Sequence, residues 1–268
     1  MNQSEKARLF RDLHHGSQIL VLPNAWDVAS ARIFEEAGFP ALATTSAGVA
    51  NSLGYPDAGY IPRDEMLAVV ARIARAVQIP VTADVEFGYG DPVATAKAVA
   101  EAGAVGMNLE DTRGEDAASI VDINTQAEII REIHALGLPV VLNARTDLYL
   151  ANIGDPATRF ACTVERLNAY RDAGAECLFE PGLRDAETIG ALAREVRGPL
   201  NILATNGTPS ISELQRLGVA RVTIGSGAAR ATFGLVRRIA AELQDRGAYR
   251  HMLEGQIPYP EINALLKR

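Results

Sequence analysis

The stretch "AEAGAVGM", Ala100–Met107, closes one element and opens the next. A run of small helix-forming residues reaches Gly103, and an apolar run starts at once. Glycine just past a last helical turn takes the left-handed conformation that ends a helix. The short apolar run behind it reads as a buried strand. The same junction recurs as "EEAGFPAL" (35–42), "HALGLPVV" (134–141), "RDAGAECL" (171–178) and "QRLGVARV" (215–222). Proline replaces the glycine role in "AVQIPVTA" (76–83) and "EVRGPLNI" (195–202), and a first strand follows "HHGSQILVL" (14–22).

Amphipathic stretches fill the intervals. Phe160, Val164 and Leu167 share one helical face, as do Ile129, Ile130, Ile133 and Leu136. Asp91-Pro92 and Asp155-Pro156 read as N-cap and first helical residue. Short strands alternating with helices predict parallel βα units. Eight such units in 268 residues suit an α/β (β/α)8 TIM-type barrel. A doubly wound sheet is the alternative with the same local pattern. Residues 1–268 show no boundary that splits them, so one barrel domain is expected, with an N-terminal helix. Residues 248–268 lie outside the eight units and read as an appended C-terminal helix and tail.

Composition narrows the function. The chain is 48% hydrophobic and 22% charged, with net charge −7 and pI near 5.2. An acidic protein of this kind is not expected to bind nucleic acid. No apolar run approaches the ~20 residues a membrane span needs, and "MNQSEKARLFRDLHHG" has no secretory core. Cys162 and Cys177 form neither a disulfide framework nor a zinc motif, so a reducing cytoplasm is the expected setting.

In a barrel the chemistry sits at the carboxyl ends of the strands. "PVTADVEFGYGDP" (80–92) ends a strand in Asp84 and Glu86, which alternation places on one face. "VGMNLED" ends in Asn108, Glu110 and Asp111, and "VVLNARTD" in Asn143, Arg145 and Asp147. Later strands offer Glu180, Asn201 and Gly225-Ser226. Carboxylates that close repel unless a positive charge lies between them. Hard oxygen donors without His or Cys point to Mg2+ or Mn2+. A carboxylate–arginine network without metal is the competing reading. Thr45-Ser46-Ala47-Gly48 is a turn of small residues whose amides could meet a carboxylate or enolate oxygen. Asp27 reads as a helix cap, and Glu35 and Glu36 as a solvated face.

Scarcity excludes mechanisms. Lysine occurs only at Lys6, Lys97 and Lys267, none at a strand end, which removes Schiff-base and pyridoxal chemistry. His14, His15, His134 and His251 all lie off the expected mouth, and both cysteines read as small buried residues. Metal-assisted chemistry on a 2-oxo acid suits what remains.

"TTSAGVANSLGYPD", "ADVEFGYG", "NLED" and "NARTD", in this order, resemble the isocitrate lyase/phosphoenolpyruvate mutase superfamily over about residues 18–245. The resemblance implies that Asp57, Asp84, Glu86 and Glu110 surround Mg2+ (or Mn2+), several through water. It implies that Ser46, Ala47 and Gly48 hold the substrate's carboxylate and oxo oxygens and that Arg145 pairs with the carboxylate. Thr45, Asn108, Glu180 and Asn201 complete the candidate substrate contacts; Arg145, Glu110 and Asp57 are the candidate catalytic groups. It also implies a homo-oligomer, a tetramer exchanging a C-terminal helix.

The departures are informative. The family's D-x-D-x-G-x-G carries Glu86 as its second acid here, and Asn108 stands where methylisocitrate lyases have His. "EDTRGEDAASIVD" (110–122) replaces the lyase loop K-[KR]-C-G-H and has neither Cys nor Lys. A Mg2+-dependent enzyme on a small 2-oxo carboxylate, cleaving or decarboxylating it through an enolate as oxaloacetate decarboxylases do, is the expected activity. Water, Tyr89, Glu115 or Asp116 could move the proton. The alternatives are a non-catalytic 2-oxo-acid-binding protein, a phosphonopyruvate hydrolase or mutase, and a sugar-phosphate enzyme using the Gly225–Gly227 turn.

Overall fold

The computed structural model describes residues 1–113 and 120–267. The chain opens with α1 (Gln3–Leu13), then β1 (Leu20–Leu22), β2 (Asn24–Ala25) and α2 (Val28–Glu36). There follow β3 (Leu42–Thr44), α3 (Ser46–Ser52), α4 (Arg63–Ala76), β4 (Val81–Asp84), α5 (Pro92–Glu101) and β5 (Gly106–Glu110). Next are α6 (Ile123–Ala135), β6 (Val141–Arg145), α7 (Pro156–Asp172), β7 (Cys177–Glu180), α8 (Ala186–Glu195) and β8 (Leu200–Leu203). The chain ends with α9 (Ile211–Arg216), β9 (Arg221–Thr223), α10 (Gly227–Arg246), α11 (Arg250–Leu253) and α12 (Tyr259–Leu266).

All strand pairs are parallel, in the order β1-β9-β8-β7-β6-β5-β4-β3-β2. The ring is a (β/α)8 TIM-type barrel whose first strand is split. Pro23 has no N–H to continue the ladder, so β1 pairs with β9 and β2 with β3. Asn24 bridges this seam: its Nδ2 donates to the Thr44 carbonyl (2.8 Å), and its Oδ1 accepts Ile224 N–H and Gly225 N–H, both 2.9 Å.

The junction glycines behave as the sequence indicates. Gly103 has φ 88°, and Val105 N–H donates to the Val81 carbonyl two residues later (2.8 Å). Asp91 and Asp155 cap α5 and α7 with proline at the first turn, and Asp27 caps α2. A cap of this kind contributes ~1 kcal/mol. Leu167, Ile130 and Ile133 are buried, as their helical spacing predicts. Cys162 is exposed on α7, contrary to the expectation that both cysteines are buried; Cys177 is enclosed in the barrel. Glu35 is not a free surface charge, since it accepts the backbone N–H groups of Gln78 and Ile79.

Strand residues whose side chains face the helices are apolar: Ala83, Met107, Leu109, Leu142, Ala144, Leu178, Leu200, Ile202 and Val222 share the main core. The alternate positions, facing the barrel interior, are largely polar: Thr82, Asn108, Asn143, Asn201, Arg221 and Thr223, all buried. Branched aliphatic residues usually fill that interior. Here a polar column runs from the floor, closed by Phe10 of α1, to the mouth.

Candidate active site

Two adjoining cavities of about 220 and 260 Å³ open at the carboxyl ends of the strands and share Ser46, Asp57, Arg145 and Leu150. Asp57, Asp84, Glu86, Glu110 and Asp147 line them, against the single guanidinium of Arg145. Asp84 closes β4, with its backbone N–H on Thr44 Oγ1 (2.9 Å). Its Oδ2 accepts both the N–H (3.1 Å) and the hydroxyl (2.9 Å) of Ser46. Its Oδ1 is buried with no hydrogen-bond partner among the described residues.

Glu86 reaches the same mouth by a different route from the expected alternation. β4 ends at Asp84, and Glu86 sits in the left-handed region at φ 51°. Its carbonyl accepts Glu110 N–H (3.0 Å), which anchors the loop to β5. One carboxylate oxygen accepts the Tyr89 hydroxyl (3.4 Å); the other, Oε2, is buried and unpartnered. Burial, then the charges of Asp84 and Asp57, pushes the Glu86 carboxyl up to about 8. Burial likewise drives Glu110 upward, against the pull of Arg145.

Arg145 ends β6. Its Nη1 lies 2.7 Å from Glu110 Oε2, and its Nε and Nη2 donate to Asp147 at 2.6 and 3.1 Å. Asp147 also accepts the Thr112 hydroxyl (2.6 Å), and its N–H donates to Asp111 (3.1 Å). Asp111 in turn accepts Tyr170 Oη (2.7 Å) and Arg166 (3.2 Å). The guanidinium is therefore fixed by two carboxylates rather than left open for a substrate carboxylate.

Thr45 is the N-cap of α3, and Thr45, Ser46, Ala47 and Asn108 line the smaller cavity. The turn expected after this strand is in fact the first turn of a short helix, and Ser46 spends both its donors on Asp84. Gly48 lies behind the cavity: a Cβ there would come within 3.1 Å of Trp26 and 3.2 Å of Ala229, so packing requires the glycine. Glu180 faces away from the mouth, because β7 turns Phe179 inward instead; its Oε1 accepts Gly182 N–H (2.7 Å), and burial raises its carboxyl. Asn201 lies lower in the interior, where its Oδ1 accepts Thr223 Oγ1 (3.5 Å). The Gly225 amide is committed to Asn24, which removes it from a phosphate cradle. Glu115 and Asp116 lie outside the described residues.

The sequence places Asp147 and Asn24 at strand ends without giving them a role, and it gives no sign of the apolar wall of Leu150, Phe179, Pro181 and Leu203. Asp147 carried a signal, since it stands two residues after Arg145 at the same strand end. The wall carried none, because its members come from two strands and two loops.

Among the described residues no three His, Cys, Asp or Glu side chains converge as a ready-made metal cage. The orphaned Asp84 Oδ1 and Glu86 Oε2 nevertheless fit a hard divalent cation that keeps several waters, as Mg2+ does.

The phosphoenolpyruvate phosphomutase family model matches residues 10–244. The chain belongs to this family, and thus to the isocitrate lyase/phosphoenolpyruvate mutase superfamily of lyases and mutases. Among curated proteins it is 36% identical to the uncharacterized protein Rv1998c of Mycobacterium tuberculosis, over 96% of this chain and 95% of that one. It is 29% identical to the 2-methylisocitrate lyase of Halalkalibacterium halodurans (92% and 84% covered). It is also 29% identical to oxaloacetate decarboxylase 2 of Pseudomonas fluorescens (81% and 76%). A crystal structure of a Burkholderia cenocepacia J2315 protein superposes with TM-score 0.92 at 39% identity, covering 99% and 98%. Phosphonopyruvate hydrolase with oxalate and Mg2+ superposes with TM-score 0.85 at 25% identity, covering 99% and 95%.

Proposed function

We propose that this chain is a lyase that uses a divalent cation, Mg2+ or Mn2+, to break a carbon–carbon bond in a small 2-oxo carboxylate such as oxaloacetate. The observation that carries the reading is the pair of buried, unpartnered oxygens, Asp84 Oδ1 and Glu86 Oε2. They stand in a mouth where five carboxylates face one arginine. Like charges so gathered call for a cation. The kinship with an oxaloacetate decarboxylase and with a hydrolase crystallised with oxalate and Mg2+ supports the substrate class.

Asp84, Glu86, Glu110 and Asp57 would hold the cation. When bound, it supplies Lewis-acid polarisation of the keto oxygen. Arg145, clamped between Glu110 and Asp147, adds a fixed positive charge beside the developing enolate. Leu150, Phe179, Pro181 and Leu203 keep bulk water from one side of the cavity, which strengthens these interactions. In the decarboxylation of oxaloacetate the C3–C4 bond breaks and CO2 leaves. Its electron pair passes to the enolate, and a proton from water restores C3 to give pyruvate. Tyr89 keeps its own proton, because burial and Glu86 raise its hydroxyl.

The test is pyruvate release from oxaloacetate and related 2-oxo acids, with Mg2+ and with EDTA. Turnover is expected only with the cation, and Asp84→Ala is expected to cut it at least about a hundredfold. Turnover indifferent to both changes would overturn the assignment. The loop at 110–122, without Cys or Lys, favours one second reading, a non-catalytic 2-oxo-acid-binding protein; tight binding without product would select it.

The homo-oligomer belongs to the same proposal. Phe233, Val236 and Leu243 on α10 are exposed, as are Met252, Leu253, Ile257 and Tyr259 in the tail. Large apolar side chains left exposed on two successive elements favour an interface.

A further inference from the structure

Arg221 is the largest fully enclosed side chain among the described residues. It starts β9, at the amino end of the barrel, and points inward. Phe10 covers it from below, its ring centroid 5.9 Å from the guanidinium carbon. His14 lies beside Phe10, and its Nδ1 donates to the Phe10 carbonyl (2.7 Å); an imidazole, neutral or protonated, carries no negative charge to offset the guanidinium. Among the described residues no carboxylate pairs with Arg221; besides Asn108 its guanidinium meets the Cys177 thiol, and its Nε and Nη1 make no hydrogen bond of good geometry. A buried charge without an ion pair is costly, and the chemistry proposed at the mouth does not use it.

Its oxygen acceptor is Asn108 Oδ1, 3.4 Å from Nη2. A guanidinium has donors only. Asn108 must therefore turn its oxygen, not its nitrogen, toward the floor. The same oxygen accepts Asn143 Nδ2 at 2.6 Å, so two donors hold the carboxamide in one orientation. Asn108 lines the smaller cavity, which leaves its Nδ2 as the polar atom available there. An inverted carboxamide would offer an oxygen to an anionic ligand and repel it.

We propose that Arg221 is a positioning residue of the site: from the barrel floor it locks the Asn108 carboxamide so that Nδ2 donates to an oxygen of the bound oxo acid. The inference rests on the 2-oxo-acid reading above. It assigns the buried arginine a role in ligand selection that requires no contact with the ligand.

The experiment is a double-mutant cycle on oxalate affinity, measured calorimetrically with Mg2+ present. Arg221→Met, apolar and of similar length, is expected to keep the circular dichroism of the parent and weaken oxalate about tenfold. Arg221→Lys, also donor-only, should stay within about threefold of the parent. In an Asn108→Ala background Arg221→Met should change affinity less than about twofold. Losses that simply add, or no loss with Met, overturn the proposal. Should the Met variant not fold, Arg221→Leu, which likewise carries no donor, takes its place in the cycle under the same criterion. Failure of the parent to bind oxalate or any 2-oxo acid sinks the substrate reading instead. Neutron diffraction from ligand-free crystals then decides the Asn108 orientation alone: deuterium on the atom facing the cavity upholds the lock, and deuterium on the atom facing Arg221 refutes it.

Discussion

The residues that matter most here are those whose polar atoms lack partners. Asp84 and Glu86 were legible as a pair from their spacing, but the route by which they meet was not. Alternation predicts a common strand face, whereas the strand ends at Asp84 and Glu86 arrives through a left-handed backbone. Such a conformation is rare outside glycine, and nothing in "ADVEFGYG" announces it. His14 shows a second kind of invisibility. Its ring is buried beside Arg221, and burial together with that charge pushes it down to about 3 from its usual 6.5. The unfolded chain thus binds the proton more tightly than the folded one between these values. Stability from this residue is complete above pH 6.5 and falls as pH drops toward 3, by several kcal/mol in all. Urea unfolding across pH 4–7 should show this slope. His14→Gln should flatten it, and an unchanged slope would remove His14 as its source.

At the scale of elements, the βα rhythm was readable because glycine, proline and capping aspartate punctuate it. The split of the first strand was readable in principle, since Pro23 cannot donate to a ladder, yet the apolar run hides the break. Loop-to-loop contacts leave no local trace at all. Gly182, after β7, lies against the turn after β6, where a Cβ would overlap Leu150 N and the Tyr149 carbonyl carbon. That turn carries Leu150 into both cavities. Gly182→Ala is accordingly expected to displace the apolar wall, raising KM several-fold and costing about 1–3 kcal/mol of stability. Steady-state kinetics and thermal melts check both; unchanged KM with lowered Tm would confine the glycine to a structural role.

For the whole molecule, the exposed apolar faces of α10 and the tail predict self-association. Light scattering on the purified chain should give a mass above 28.6 kDa, the mass of one chain. Val236→Glu with Tyr259→Asp should reduce that mass; a monomeric parent would end the idea. No described helix is long and apolar enough to cross a membrane. The order of helices and strands, the parallel barrel and the strand-end acids follow from the sequence by itself, because caps, periodicity and alternation act over a few residues. Tertiary structure alone decided which acid takes Arg145, which way Asn108 turns, and that Glu180 and Gly48 stand outside the cavity. Those outcomes depend on side chains from strands distant in sequence competing for the same few donors in a closed, water-poor interior, where each donor given to one partner is withheld from another.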